Sequence, residues 1–169
     1  MSSVQTTCKE LLTSRGYVVD DEDDNQIMGS KNEEDHICIF FAKNSVNVKT
    51  VEGFISSMNN DNLKKGIVVY YGKITPYAKN VIESSKDVTI ELFSERELRF
   101  NITKHSYVPK HELVLPTDEH FSDVVKISSK LPKILQSDPI SRFYGFKPKD
   151  IIRVTRKDNS ISYRTVIGA

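Results

Sequence analysis

The residues with most chemical potential are carboxylates and lysines near the ends of apolar runs. A metal-dependent nuclease of α/β type needs an aspartate on one strand and an acid-x-lysine triplet on the next. Two carboxylates then hold the divalent ion while the lysine supports the attacking water. Asp35 stands just before the apolar run Ile37 to Ala42 and suits the first acid, but the triplet position reads Asn47-Val48-Lys49. One carboxylate holds a metal poorly, so the expectation is a nuclease-like scaffold without the chemistry. His36, His105, His111 and His120 are scattered, with neither an HxxxH pair nor a cysteine pair nearby, and no zinc site is expected. Asp20, Asp21, Glu22, Asp23 and Asp24 lack the glycine and terminal glutamate of a calcium loop, and with the polar residues that follow to Asp35 they read as a solvated loop. There is no glycine elbow around a nucleophile and no GxxxxGK phosphate cradle. Neither catalytic residues nor a cofactor are expected.

Binding is better served than catalysis. In Thr75-Pro76-Tyr77-Ala78-Lys79 a helix start, two hydroxyls and a lysine come together, a set able to meet a phosphate backbone without reading bases. An ordinary capped helix explains the same pattern. Further on, Lys147, Lys149, Arg153, Arg156, Lys157 and Arg164 suit nucleic acid, or an edge strand added to a partner's sheet, or simply a solvated face.

These residues need elements to position them. Val4, Cys8, Leu11 and Leu12 recur at helical spacing and stop before Gly16. Tyr17 to Val19 reads as a short strand, Ile37 to Ala42 as a buried one, and Val46 to Val48 as its partner across Asn44 and Ser45. Val51, Phe54, Ile55 and Met58 form a helical stripe with Thr50 as N-cap. Gly66 to Gly72 is a strand, Thr75-Pro76 opens a helix, Val88 to Phe93 is another strand, and Ser94 with Glu97 makes a capping box. Strands alternating with helices predict an α/β layer covered on both faces.

After Asn101 the texture changes, with Pro109, Pro116, Pro132, Pro139 and Pro148 spaced through the rest. A boundary falls there, giving domains 1–101 and 102–169. Asp138-Pro139 to Gly145 reads as a short helix specified at both ends, and residues 150–157 and 160–167 as a hairpin around Asp158-Asn159. The second domain is expected to be small, α+β and antiparallel.

Composition fits two small domains: 169 residues, 38% hydrophobic. No apolar run approaches the roughly 20 residues that span a bilayer, and none near Met1 resembles a signal peptide, so a soluble, unsecreted protein is expected. Cys8 and Cys38 lack CxxC spacing and sit in apolar patterns, as reduced buried thiols do. Residues 1–100 hold 12 Lys and Arg against 16 Asp and Glu, a net of −4, which leaves +5 for the rest of a chain whose total is +1. The two halves therefore suit different neighbours.

Over nearly its full length the chain resembles the fifth subunit shared by the eukaryotic nuclear RNA polymerases, and its second domain resembles the archaeal counterpart of that subunit. The resemblance rests on Ile102-Thr-Lys-His-Ser-Tyr-Val-Pro-Lys-His111, Leu131-Pro-Lys-Ile-Leu-Gln-Ser-Asp-Pro139, Arg142-Phe-Tyr-Gly-Phe-Lys147, Ile151-Ile-Arg-Val-Thr-Arg156 and Ser162-Tyr-Arg164. In the first domain it rests on Arg15-Gly-Tyr17, Val48-Lys-Thr50, Gly66 to Tyr70, Thr75-Pro76, Ala78-Lys79 and Glu91-Leu-Phe93. It implies an N-terminal jaw domain with a restriction-endonuclease-like mixed sheet and flanking helices, inactive as a nuclease, beside downstream duplex DNA in the lower jaw. Thr75, Pro76, Tyr77, Ala78 and Lys79 inherit the DNA-proximal role, although Tyr77 departs from the family's small residue. It also implies a C-terminal assembly domain anchored on the largest subunit, and Leu131, Pro132, Ile134, Asp138, Pro139, Arg142, Tyr144, Arg153, Arg156, Tyr163 and Arg164 are its expected interface. Other polymerase subunits, duplex DNA bound without sequence preference and transcription factors are the implied partners, with no membrane. The short stretch between Val19 and His36 suggests a divergent version from a large DNA virus. The implied location is the nucleus for a cellular protein, and the virion or host cytoplasm or nucleus for a viral one. The rival reading is a nuclease-fold DNA-binding protein, or a metal-dependent nuclease, acting apart from any polymerase.

Overall fold

The computed structural model describes residues 3–168. The chain divides into two compact units, one ending at Phe100 and the other starting at Asn101. Among the described residues no helix is long and apolar enough to cross a membrane.

The first unit opens with α1 (Ser3–Ser14), which buries Val4, Thr7, Cys8, Leu11 and Leu12 on one stripe. It ends as the glycine predicts. Gly16 takes φ 85°, its amide donates to the Thr13 carbonyl at 3.0 Å, and the Tyr17 amide donates to the Leu12 carbonyl at 3.0 Å. Then come β1 (Val18–Glu22), β2 (Gln26–Ser30), β3 (His36–Ala42), α2 (Val48–Asn60), β4 (Lys65–Tyr70), α3 (Pro76–Ser84) and β5 (Thr89–Ser94). The five strands form one sheet in chain order, antiparallel from β1 to β3 and parallel from β3 to β5.

Alternation along the strands supplies two apolar faces. Cys38, Phe40 and Ala42 of β3 and Val68 of β4 share a core with Val51 and Met58 of α2 and with Ala78 and Ile82 of α3. The packing there is tight: a methyl added at Gly66 would lie 2.8 Å from the Met58 sulfur. Ile37, Ile39, Phe41, Ile67 and Val69 point the other way and are also buried. On that face Leu12 of α1 lies against Gly29, the register partner of Ile37, and Arg15 at the end of α1 grips Glu91 of β5 with two bonds of 2.7 and 2.8 Å. The α/β reading with helices on both faces holds. Cys8 and Cys38 are free and buried, and burial pushes both thiols up to about 12.

Three local readings are corrected. The stretch from Asp20 to Asp35 is no loop: Asp20, Asp21 and Glu22 lie in β1, an exposed edge strand ordered by its pairing to β2, and Gln26–Ser30 form β2 itself, paired on both sides, with Ile27 fully buried. Val46 to Val48 is no strand beside β3. Val46 makes a single parallel bridge to Ile74, and Val48 already begins α2. The cap of α2 is therefore Asn47, whose Oδ1 accepts the Thr50 amide at 3.0 Å, and Thr50 lies inside the helix. The Ser94/Glu97 capping box is present, on a 3-10 turn over Glu95–Leu98.

The second unit contains β6 (Lys110–Leu113), α4 (Phe121–Lys126), β7 (Lys133–Leu135), α5 (Pro139–Tyr144), β8 (Ile151–Thr155) and β9 (Ile161–Ile167). Its sheet runs β6-β8-β9-β7. The β8–β9 hairpin turns at Asp158-Asn159, where Asn159 takes φ 62°. The antiparallel expectation needs correction, because β7 pairs with β9 in parallel and the sheet is mixed. Ile134, Phe146, Ile152, Val154 and Val166 form the core of one face, and Val114, Val124 and Ile151 that of the other.

Candidate nucleic-acid interface

The structure places the nuclease candidates apart from any metal-binding geometry. Asp35 precedes β3, as expected, but Asn47, Val48 and Lys49 form the cap and first turn of a helix, so no strand presents the triplet. Asp35 is held in an ion pair. Lys65 at the start of β4 donates to its two oxygens at 2.8 and 2.9 Å, and the Tyr17 hydroxyl donates at 2.9 Å. Burial acts to raise the carboxyl pKa, yet the bonds from Lys65 and Tyr17 and the Lys65 charge outweigh it and hold the group below the usual carboxylate value. Lys65 is correspondingly raised, first by its bond to Asp35. Among the described residues no three His, Cys, Asp or Glu side chains come together as metal ligands.

The Thr75 segment is built as its sequence predicts. Thr75 is the N-cap of α3 with an extended backbone (φ −76°, ψ 148°), its Oγ1 accepts the Ala78 amide at 3.2 Å, and Pro76 fills the first turn. The segment is tied to the start of α2. The Val46 amide donates to the Lys73 carbonyl at 2.8 Å, and the Thr75 amide donates to the Val46 carbonyl at 3.0 Å. Pro76, Tyr77 and Lys79 are exposed, Tyr77 at 76%, but Ala78 is fully buried in the core. Ala78 therefore shapes the helix and offers no side chain to a ligand. Its burial was legible in the helical stripe it shares with Ile82.

In the second unit the candidate interface residues separate into core and surface. Ile134 is buried, while Leu131 and Tyr163 are half-buried against Val114, Val124 and Ile151. Tyr144 stacks on Phe146 with ring centroids 5.1 Å apart. Asp138 caps α5, its Oδ1 accepting the Ile140 amide at 2.8 Å, with Pro139 next and Arg142 half-exposed in the same helix. Arg153 reaches Glu112 at 3.2 Å, Arg156 donates to the Ser162 hydroxyl at 3.2 Å, and Pro132 is exposed. Arg164 is half-exposed, and its charge acts on His111. Leu135 and Ile167, unassigned from sequence, are register partners on one sheet face and are 49% and 38% exposed. Their place in β7 and β9 follows from a parallel pairing that local patterns do not signal.

Comparison with known proteins assigns each unit. Residues 2–100 match a family described as restriction endonuclease, and residues 100–166 match the C-terminal domain of RNA polymerase Rpb5. In Dictyostelium discoideum, the subunit rpabc1 of DNA-directed RNA polymerases I, II and III is 31% identical over 144 residues, covering 79% of this chain and 73% of its own. The corresponding subunits of Caenorhabditis briggsae and Caenorhabditis elegans are each 30% identical over 142 residues, covering 79% of this chain and 67% of theirs. The chain therefore belongs to the family of the fifth subunit shared by RNA polymerases I, II and III, with a first domain of the restriction-endonuclease family.

Proposed function

We propose that the protein is a non-catalytic subunit of a nuclear DNA-dependent RNA polymerase. In this reading its second domain docks on the largest subunit, and its first forms part of a jaw beside downstream duplex DNA. The observation that carries the non-catalytic reading is Asp35. Its carboxylate is held by Lys65 and Tyr17, and Asn47, the position that sequence spacing offered for a second acid, caps α2 and stands on no strand. Among the described residues no three metal-ligating side chains come together, and fold alone does not confer activity. The exposed Leu135 and Ile167, with Arg142, Arg156 and Arg164 on the same domain, supply the mixture of apolar and arginine side chains that protein interfaces favour. In the jaw, Thr75, Pro76 and Tyr77 meet the backbone by weak contacts that allow sliding, and transcription factors are further partners of the assembled enzyme.

The test is a reconstituted polymerase carrying Thr75→Ala with Pro76→Ala. Promoter opening or transcript yield falls while the subunit still incorporates. Loss of incorporation would show the segment to be structural. The rival reading, a free-standing nuclease, draws on the restriction-endonuclease match of the first domain. It would be established by divalent-metal-dependent cleavage of duplex DNA that Asp35→Ala abolishes.

A further inference from the structure

The first domain carries a charged surface that the Thr75 segment does not exhaust. Residues 36–51 and 62–82 contain no Asp or Glu, and they hold Lys43, Lys49, Lys64, Lys65, Lys73 and Lys79. The fold sorts these lysines. Lys64 and Lys65 lie where β4 begins, and Lys65 is committed to Asp35. Lys43, Lys49, Lys73 and Lys79 lie at the other end of the parallel strands, all exposed. Lys43 is offset, because it donates to the Asn25 side chain at 3.3 Å, beside the Asp23-Asp24 turn. Ion pairs elsewhere in this domain include Lys9–Glu22, Arg15–Glu91, Lys65–Asp35 and Arg99–Glu95. Lys49, Lys73 and Lys79 have no acidic partner among the described residues.

Backbone contacts bring the three together. Besides the two bonds between Val46 and the Lys73–Thr75 stretch, Gly72 sits so close to Ser45 that a methyl added there would lie 3.2 Å from its amide nitrogen. The loop that leads to Lys49 is thereby held against the loop that carries Lys73, and Lys79 follows in the first turns of α3. The cap oxygens of Asn47 and Thr75 accept backbone amides, and the charged donors of this surface are the lysines.

We infer that Lys49 and Lys73, with Lys79, form a phosphate-contacting patch that carries the DNA-facing surface of the jaw from the start of α3 across to the start of α2. The inference rests on the proposed placement of the Thr75 segment beside DNA. Lysine ammonium groups are hydrated point charges on flexible stems, lacking the planar fork that reads guanine. Glu52 and Glu83 lie one turn further along α2 and α3 but pair with none of the three, and three unpaired ammonium groups suit a repeating polyanion held without sequence preference.

The test is fluorescence anisotropy of the full chain with a labelled duplex of mixed sequence across a KCl series. Lys49→Gln with Lys73→Gln should lower the slope of log Kd against log[KCl] by about 0.9 for each lysine, to the same extent on unrelated sequences. Lys64→Gln with Lys86→Gln, the same charge change where β4 and β5 begin, should leave the slope in place. An equal loss from both pairs would reduce the effect to net charge and overturn the inference. An unchanged slope for Lys49/Lys73, with weakened binding by Thr75→Ala/Pro76→Ala, would overturn the patch and leave the jaw reading standing. Wild-type binding that does not vary with salt, or that neither set of substitutions alters, would overturn both. Binding lost to the lysine substitutions alone would keep the patch and remove Thr75 and Pro76 from it.

Discussion

Replacing Asp35 by alanine separates a structural carboxylate from a catalytic one. Lys65 donates to both oxygens and Tyr17 to one, so the substitution removes an ion pair and a hydroxyl–carboxylate bond together. The Lys65 side chain is 43% exposed and Asp35 26%, which places the pair among partly solvated ones worth about 0.5–1 kcal/mol. The Tyr17 bond adds about 1 kcal/mol, at the low end for a bond to a charged group because the site is partly open. A loss of about 1.5 kcal/mol lowers the melting temperature of a domain this size by about 6–10 °C. Thermal unfolding followed by circular dichroism measures it. The pH dependence fixes the cause. Because the folded carboxyl pKa lies below its unfolded value of 3.8, the stabilisation is present above that value and disappears as pH falls through the folded one. Wild type and variant should therefore differ at neutral pH and converge in acid. The structural reading is refuted if Asp35→Ala leaves the melting temperature unchanged at neutral pH while abolishing a stabilisation of the wild type by magnesium or manganese.

Other substitutions test the fold. A methyl added at Gly53, in the middle of α2, meets nothing within 4 Å, so Gly53→Ala should raise stability by about 0.5–1 kcal/mol, read as a higher urea midpoint at constant m-value. The Ser141 hydroxyl is fully buried in α5 with no hydrogen-bond partner among the described residues, and Ser141→Ala should stabilise by about 1 kcal/mol in the same assay. His111 is buried, and desolvation holds its pKa below 6.5, although its Nδ1 contacts the Pro109 carbonyl at 2.8 Å. The unfolded chain then binds the extra proton first. Stability contributed by the neutral ring is present above pH 6.5 and lost as pH falls through the folded pKa, and His111→Gln should flatten that part of a stability–pH curve.

What the sequence made legible was whatever it specified within a few residues. Thr75-Pro76, Ser94 with Glu97, Asp138-Pro139 with Gly145, and the Asp158-Asn159 turn each satisfy their own backbone groups, so each could be located before any tertiary contact was known. Elements ordered by distant partners were missed or cut short, as β1 was at Val19. β1 is polar and exposed along most of its length, and only pairing with β2 makes it a strand. β6, β7 and α4 have between three and six residues, too few for a period to appear, and the parallel joining of β7 to β9 has no local signal at all. The site shows the same division. Types and spacing found the Thr75 cap and the stripe that buries Ala78, but that Ile134 faces inward, and that Val46 is stitched to Ile74, depended on packing between elements.

Under the proposed function, that stitch explains how a scaffold of the restriction-endonuclease family presents a defined surface to duplex DNA without cutting it. A metal site requires two carboxylates within coordination distance of one ion, a demand that a single substitution defeats. Holding a duplex by its backbone requires only that positive charge be fixed in place and not be answered by nearby acids. Val46, fully buried in the core shared by the sheet and the two helices, meets the first condition by locking the loop before α2 to the loop before α3, and the lack of an ion pair to Lys49, Lys73 or Lys79 among the described residues meets the second. Asn47 sits at the junction as the cap of α2 and so helps to place Lys49 on the charged surface.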